Sequence, residues 1–307
     1  MACGRQKALR VNRRPQLATL PTVPFGPHQV TRLIVGGNPF CGHSHYSDEL
    51  TREMLEYYTP ERVVKVLHQC ERAGINTVQA RGDYHRIMHW LELYRREDGT
   101  MQWVAQTASE MHDVFQNIRV IAAAGAIGIY HHGTQTDRFW HEGNIDRTVD
   151  YLKCMRDCGV QVGLGTHIPE VVCYAEEHDW DVDFYMTSFY NLSRAPRESN
   201  LVSGDFEYAP EEFRDEDRGA MCDVIRGTEK TCLAFKILAA NRKCATQQDV
   251  RGAFRFAFDH IKDRDAVVVG MFPKYSDQVS QNVRYTLEAL GVEDESALND
   301  VTSENEP

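Results

Sequence analysis

From residue 29 onward one unit recurs along the chain: a short apolar run rich in β-branched residues, then a longer segment whose apolar residues keep a helical period. The short runs fall at 32–36, 77–80, 102–106, 127–131, 161–165, 184–188, 232–236 and 266–270. The helical segments fall at 60–73, 84–96, 109–124, 145–158, 169–178, 210–227, 246–261 and 276–290. Two parallel strands cannot be joined by a tight hairpin, so the helix after each run supplies the crossover that parallel pairing requires. Eight such units predict an α/β fold in a single domain, a closed (β/α)8 TIM barrel. On this reading residues 1–28 are an N-terminal arm, 29–290 the barrel and 291–307 an acidic tail.

Local signals agree. Thr59-Pro60-Glu61 is a cap with proline at the first helical position, Pro210 with Glu211 and Glu212 opens another helix, and Gly74 and Gly159 follow helices just before strands. The competing architecture is a doubly wound open sheet, which carries a glycine-rich phosphate turn after its first strand. Here that turn reads Gly36-Gly37-Asn38-Pro39, which is not GxGxxG.

Charge and composition bound the partners. The formal charge is −11, and the two ends are opposite in sign: residues 1–14 hold five basic and no acidic side chains, residues 292–307 six acidic and no basic ones. A net-acidic body repels a phosphate backbone and the basic arm is short, so nucleic acid is not expected as a partner. No stretch approaches the roughly 18 apolar residues of a spanning helix, and the N-terminus lacks the apolar centre of a secretory signal. The expectation is a cytoplasmic protein acting on a small molecule, away from membranes, with its oligomeric state left open. Nine scattered cysteines without CxxC pairs read as reduced thiols.

The working face of such a barrel lies at the C-terminal ends of its strands. The first strand is followed by Asn38, Cys41, His43 and His45, the second by Gln79, Arg81, Asp83 and Tyr84, the third by Gln106 and Thr107. The fourth ends in His131-His132, the fifth in Thr166-His167, the sixth in Thr187, Tyr190 and Asn191, the seventh in Lys236, the eighth in Gly270 to Lys274. A single strand-end histidine is ordinarily a hydrogen-bonded structural residue. Convergence of many polar side chains from distant strands is something packing alone does not require.

The segments resemble the aldo-keto reductases, in order, over roughly residues 29–290. "HQVTRLIVGGNPFCG" looks like that family's opening strand and "AGINTVQARGDY" is similar to its second-strand motif. "GVQVGLGTHIPEVV" and "VDFYMTSFYNL" look like its fifth and sixth strands, and "AVVVGMFPKYSDQVSQNV" is similar to the strand and helix that cradle a cofactor phosphate. The resemblance implies an NADP(H)-binding barrel in which Tyr84 occupies the tyrosine position, Gln79 the aspartate position and Gln106 the lysine position. The histidine position falls on His131 or His132, with His132 favoured because Gly133 follows it. Gly270, Lys274, Asn282 and Asn191 would then contact the cofactor.

The exchange of lysine for Gln106 has a chemical consequence. A phenol with a pKa of about 10 needs a neighbouring cation to trade protons near neutral pH. Gln79 and Gln106 could bond each other and leave a neutral polar floor. Three functions stay open. One is a carbonyl reductase using Tyr84 and His132. Another, favoured here, is non-redox acid–base or metal-assisted chemistry on a small polar carbonyl or sugar-like substrate. For this, His43, His45, His132 and His167 with Asp83 form a candidate divalent-metal set, His132 or His167 is the general base, and Asn38, Arg81 and Lys236 bind substrate. Trp140 and Tyr190 could stack on a sugar or a nicotinamide. The third is a ligand-binding barrel without catalysis.

Overall fold

A computed structural model of the protein describes residues 19–83, 86–108, 111–195 and 211–292. An antiparallel hairpin comes first, β1 (Thr22–Phe25) and β2 (His28–Thr31), turned through Gly26 at φ +58°. Eight parallel strands then follow the order of the chain: β3 (Leu33–Gly36), β4 (Thr77–Arg81), β5 (Gln102–Gln106), β6 (Gly128–His131), β7 (Gln161–Thr166), β8 (Phe184–Ser188), β9 (Thr231–Phe235) and β10 (Ala266–Gly270). Pairing of β10 with β3 closes the barrel, with Val35 opposite Val78 on one side and Val269 on the other. The eight predicted strands are all present, their ends displaced by at most one residue.

Alternation along these strands separates two cores. Ile34, Val104, Tyr130, Phe184, Met186, Leu233 and Val268 point into the barrel, where Val23, Phe25 and Val30 of the hairpin join them. The intervening residues, such as Val78, Trp103, Val162, Tyr185 and Val267, pack outward with apolar residues of the helices. Phe25 has room because residue 128 is glycine: a Cβ there would stand 2.8 Å from its ring. The hairpin thus fills the N-terminal end of the barrel.

The helices are α1 (Asp48–Tyr57), α2 (Pro60–Arg72), α3 (Ile87–Arg96), α4 (Val114–Ala123), α5 (Gly133–His141), α6 (Arg147–Asp157), α7 (Pro169–Glu177), α8 (Glu216–Gly227), α9 (Gln247–His260) and α10 (Gln278–Ala289). Two of them, α1 and α5, lie in segments that the sequence pattern leaves as loops. The first is started by Ser47, whose hydroxyl accepts the Leu50 N–H (3.2 Å), with Asp48 and Glu49 at its positive end. Among the described residues no helix is long and apolar enough to cross a membrane, and the eight described cysteines are free thiols.

Candidate active site

A cavity of about 290 Å³ opens at the C-terminal end of the barrel, walled by the segments that follow β3, β9 and β10. Aromatic packing ties two of these segments together. Tyr58 donates a 2.5 Å hydrogen bond to the Met271 carbonyl, Tyr57 reaches the Pro273 carbonyl at 3.3 Å, and Phe272 meets the Tyr57 ring edge-on at 5.2 Å. Beneath them Gly36 stands opposite Gly270, where a Cβ would sit 2.8 Å from the Pro39 ring. Glycine is therefore required for this close approach.

No Asp or Glu is among the described residues that line the cavity, although the chain carries 45 of them. Carboxamides take their place: Asn38 and Gln79 from the first two barrel strands, Asn241 and Gln247 after β9, and Gln278, Gln281 and Asn282 at the start of α10. Their orientation is partly set from behind. Gln278 Oε1 accepts the Phe272 N–H (2.7 Å), and Gln247 Oε1 accepts the Tyr285 hydroxyl (2.7 Å). One lone pair of each oxygen is thus engaged away from the cavity, and both side chains keep an NH2 group able to donate. Gln79 instead donates to the buried Tyr130 hydroxyl (2.7 Å), which corrects its expected pairing with Gln106. Gln106 closes β5, half-buried, with its backbone beside that of Arg81.

One side of the cavity is cationic. Burial pushes the His43 imidazole down to about 3, and the positive charges of His45, Arg81, Arg86 and Lys236 add to the shift. His43 is thus neutral at physiological pH, and its Nε2 is buried with no hydrogen-bond partner among the described residues. The Lys236 side chain is 8% exposed, with its ammonium 3.8 Å from Glu211 and 5.6 Å from the Phe213 ring centre. Glu211 also holds His45 Nδ1 at 3.1 Å, while Arg242 lies over Phe213 and donates to the His45 carbonyl (2.9 Å). The backbone here is strained. Of the seven described non-glycine residues with positive φ, five lie around this edge: His45, Lys236, Ala239, Ala240 and Asn241. Such conformations cost about 1 kcal/mol or more each and gather where a site must be shaped.

A second group stands at the end of β7. Asp137, on α5, is 1% exposed and accepts from His167 Nδ1 (2.7 Å), the Thr166 hydroxyl (2.5 Å) and the Ser193 hydroxyl (2.7 Å). Burial alone would raise this carboxyl; the bonds and charge of His167, with the two hydroxyls, hold it below the usual carboxylate range. A carboxylate only accepts, so Nδ1 of His167 carries the hydrogen of this bond, and Nε2 is the nitrogen at which the ring gains or loses a proton. The His167 ring meets Phe235, a wall of the cavity, at 5.5 Å.

The other predicted residues separate. His132 lies on the Tyr130 side of its strand by alternation, and its N–H donates to the Thr107 hydroxyl (3.0 Å). His131 faces the other way, against Thr136 (2.7 Å) and the rings of Phe139 and Tyr151, so it belongs to the helix layer and leaves the site. Trp140, half-buried, packs against Tyr174 in that layer, and Tyr190 is fully buried beside Phe213; neither lines the cavity. Asp83 accepts the N–H groups of Arg86 and Ile87 at the start of α3, a capping role, with Arg81 3.8 Å away.

Of the expected cofactor contacts, Gly270 and Asn282 line the cavity. Lys274 is paired to Glu53 (2.6 Å), and Asn191 is engaged by Asp217 and Ser193. Tyr84 lies outside the described residues. The expected metal set does not assemble, because His45 is held by Glu211 and His167 by Asp137. No group of three or more metal-binding side chains occurs among the described residues. Asn241, Gln247, Gln278, Gln281, Glu211 and Asp137 are absent from the sequence-based set. Only the strand-end position of their neighbours hinted at them.

No family model matches the chain, and no curated protein matches it. Among solved structures it is similar to a truncated 3-deoxy-D-arabino-heptulosonate 7-phosphate synthase from Thermotoga maritima, with 12% identity, 90% of this chain and 95% of that one covered, and a TM-score of 0.54. A mandelate oxidase superposes with a TM-score of 0.48 at 12% identity over 93% of this chain and 78% of that one. An aldolase superposes with a TM-score of 0.42 at 12% identity over 76% and 90%. At such identities the likeness is one of fold: the chain is a TIM barrel. These are not aldo-keto reductases, and the resemblance to that family is corrected accordingly. Its fragments are strand ends and strand–helix joints, which barrels of many chemistries need in the same order. The expectation of NADP(H) rested on that resemblance and goes with it.

Proposed function

We propose that this chain is a barrel enzyme that binds a small polar carbonyl or sugar-like compound through an anionic group, carboxylate or phosphate, and transforms it by non-redox general acid–base chemistry. The observation that carries this reading is a cavity with no carboxylate among its described lining residues in an acidic protein, bordered by Lys236, a neutral imidazole and amides of which Gln247 and Gln278 have their oxygens engaged from behind. Donors fixed before the ligand arrives favour an acceptor-rich group, since little reorganisation is needed on binding. His167, held by Asp137, is the group best suited to move a proton, and His43 Nε2 offers one more polar contact to the bound molecule.

The test has two stages. Thermal-shift titration compares small 2-oxo acids and sugar phosphates with neutral isosteres; the anionic compounds are expected to raise the melting temperature and the isosteres to leave it unchanged. Compounds that bind are then followed by proton NMR in D2O for loss of the hydrogen next to the carbonyl. Catalysed exchange that is lost in His167→Gln supports the reading. Binding without any exchange or turnover favours a ligand-binding barrel, and a preference for the neutral isosteres overturns the proposal.

A further inference from the structure

We propose that Lys236 is a covalent nucleophile whose ε-amine condenses with the carbonyl carbon of a small aldehyde or ketone bearing a carboxylate or phosphate, forming an imine. This rests on the reading above that the cavity receives an anionic carbonyl compound, and it names the step by which that carbonyl is activated.

Three observations converge on this residue. First, Lys236 follows β9 directly and borders the cavity where Phe235, Ile237, Leu238 and Val268 make the wall apolar, so the side chain is almost wholly withdrawn from water. Its charge, with those of His45, Arg81 and Arg86, acts on His43. Withdrawal from water is one of the conditions that free a lysine amine for attack on a carbonyl. Second, a carboxylate stands within reach: Glu211 lies 3.8 Å from the ammonium and is itself oriented by His45 Nδ1 at 3.1 Å. Third, Lys236 has φ +62°, and Ala239, Ala240 and Asn241 are left-handed as well. A lysine kept in that conformation on a barrel strand end, where glycine would relieve the strain, points to a side chain whose placement matters more than local stability.

The step balances without an oxidant or reductant. Glu211 takes a proton from the ammonium, and the freed lone pair forms the C–N bond as the carbonyl π pair moves to oxygen. Proton transfer from nitrogen to that oxygen gives a carbinolamine. Glu211 then returns its proton to the hydroxyl, which leaves as water while the nitrogen lone pair forms C=N. Ammonium and carbonyl together yield a protonated imine and one water. The imine draws electrons from the neighbouring carbon, so a C–H or C–C bond there can break heterolytically; His167, held by Asp137 and packed on the adjacent Phe235, would be the group to accept or return the proton.

The experiment is reductive trapping of the full chain with sodium borohydride in the presence of glyoxylate, pyruvate or glycolaldehyde phosphate, followed by peptide mass mapping. Thermal shift with the same three compounds runs in parallel. At least one compound is expected to leave a stable adduct on Lys236, more than tenfold above that on Lys262 and Lys274. Lys236→Arg is expected to keep the cation and the thermal shift while losing the adduct, and Lys236→Met to lose both. Circular dichroism identifies any variant that has failed to fold, in which case protection of wild-type Lys236 from borohydride trapping by excess inorganic phosphate is the second readout. A thermal shift with Lys236 unmodified overturns the imine and leaves the binding reading standing. Neither shift nor adduct overturns both, and equal labelling of all three lysines overturns the assignment by showing unselective aldehyde chemistry.

Discussion

Replacing Asp137 by Asn tests whether the His167 pair is held by charge or only by shape. The substitution conserves volume and removes the charge of a carboxylate that accepts from two hydroxyls and one imidazole N–H at 2.5–2.7 Å. An amide has one acceptor oxygen, so at least one of these donors meets an NH2 group instead. Hydrogen bonds to a charged group contribute about 1.5–3 kcal/mol each, and opening a buried ionic contact costs about 3–5 kcal/mol, which places the loss near 3 kcal/mol at neutral pH. With a urea slope of about 3 kcal/mol per molar for a chain of this size, the unfolding midpoint falls by about 1 M. The sign of the pH dependence follows from the lowered carboxyl pKa. The wild-type advantage is complete above the unfolded value of about 4 and disappears as pH falls through the folded one. Urea titrations of both proteins at pH 7 and pH 3, followed by circular dichroism, measure this. A loss under about 1 kcal/mol at pH 7, or one equally large at pH 3, would refute the argument.

Three further outcomes follow from the same geometry. Gly270→Ala drives a methyl to 2.8 Å from the Pro39 ring and is expected to cost about 1–3 kcal/mol, read as a lower urea midpoint; an unchanged midpoint means the closure of β3 on β10 is looser than described. Tyr130→Phe removes the acceptor of the Gln79 amide inside the barrel and is expected to cost about 1–3 kcal/mol. Adding Gln79→Leu to that variant should recover part of the loss, and a double variant no better than the single one shows that the two side chains are not coupled. His43 and His131 are both pushed down to about 3 by burial, so each is neutral when folded and protonated in the unfolded chain below about 6.5. Stability should therefore fall as pH drops from about 6.5 toward 3, and His131→Gln should flatten the curve; identical curves for wild type and variant contradict this.

The barrel is legible because its strands are buried on both faces: runs such as Leu33–Gly36 and Ala266–Gly270 are apolar almost throughout, and helices of ordinary length separate them. The hairpin is not, since β1 contains Pro24, β2 is four residues long, and its inward residues acquire meaning only against Phe184 and Tyr130. Helix α5 opens with Gly133 and carries Thr134, Thr136 and Asp137, weak helix formers whose place is set by tertiary contacts. At the cavity, strand ends point to His43, Gln79 and Lys236, because position on a barrel strand fixes which face a residue serves. The Gln278 and Gln281 amides of α10 and the Asp137 that orients His167 from 30 residues earlier carry no local signal; only the fold brings them near. The family resemblance misled for a related reason: a barrel imposes the same sequence of joints on unrelated chemistries.

Because Val23, Phe25 and Val30 plug the lower end and the inward side chains fill the middle, the cavity at the strand C-termini is closed from below. A molecule that enters at the top has no passage through, so on the proposed function a product would depart by the route its reactant took and would exclude the next reactant while it stayed. Changes in the rim loops could then alter admission without disturbing the sealed base.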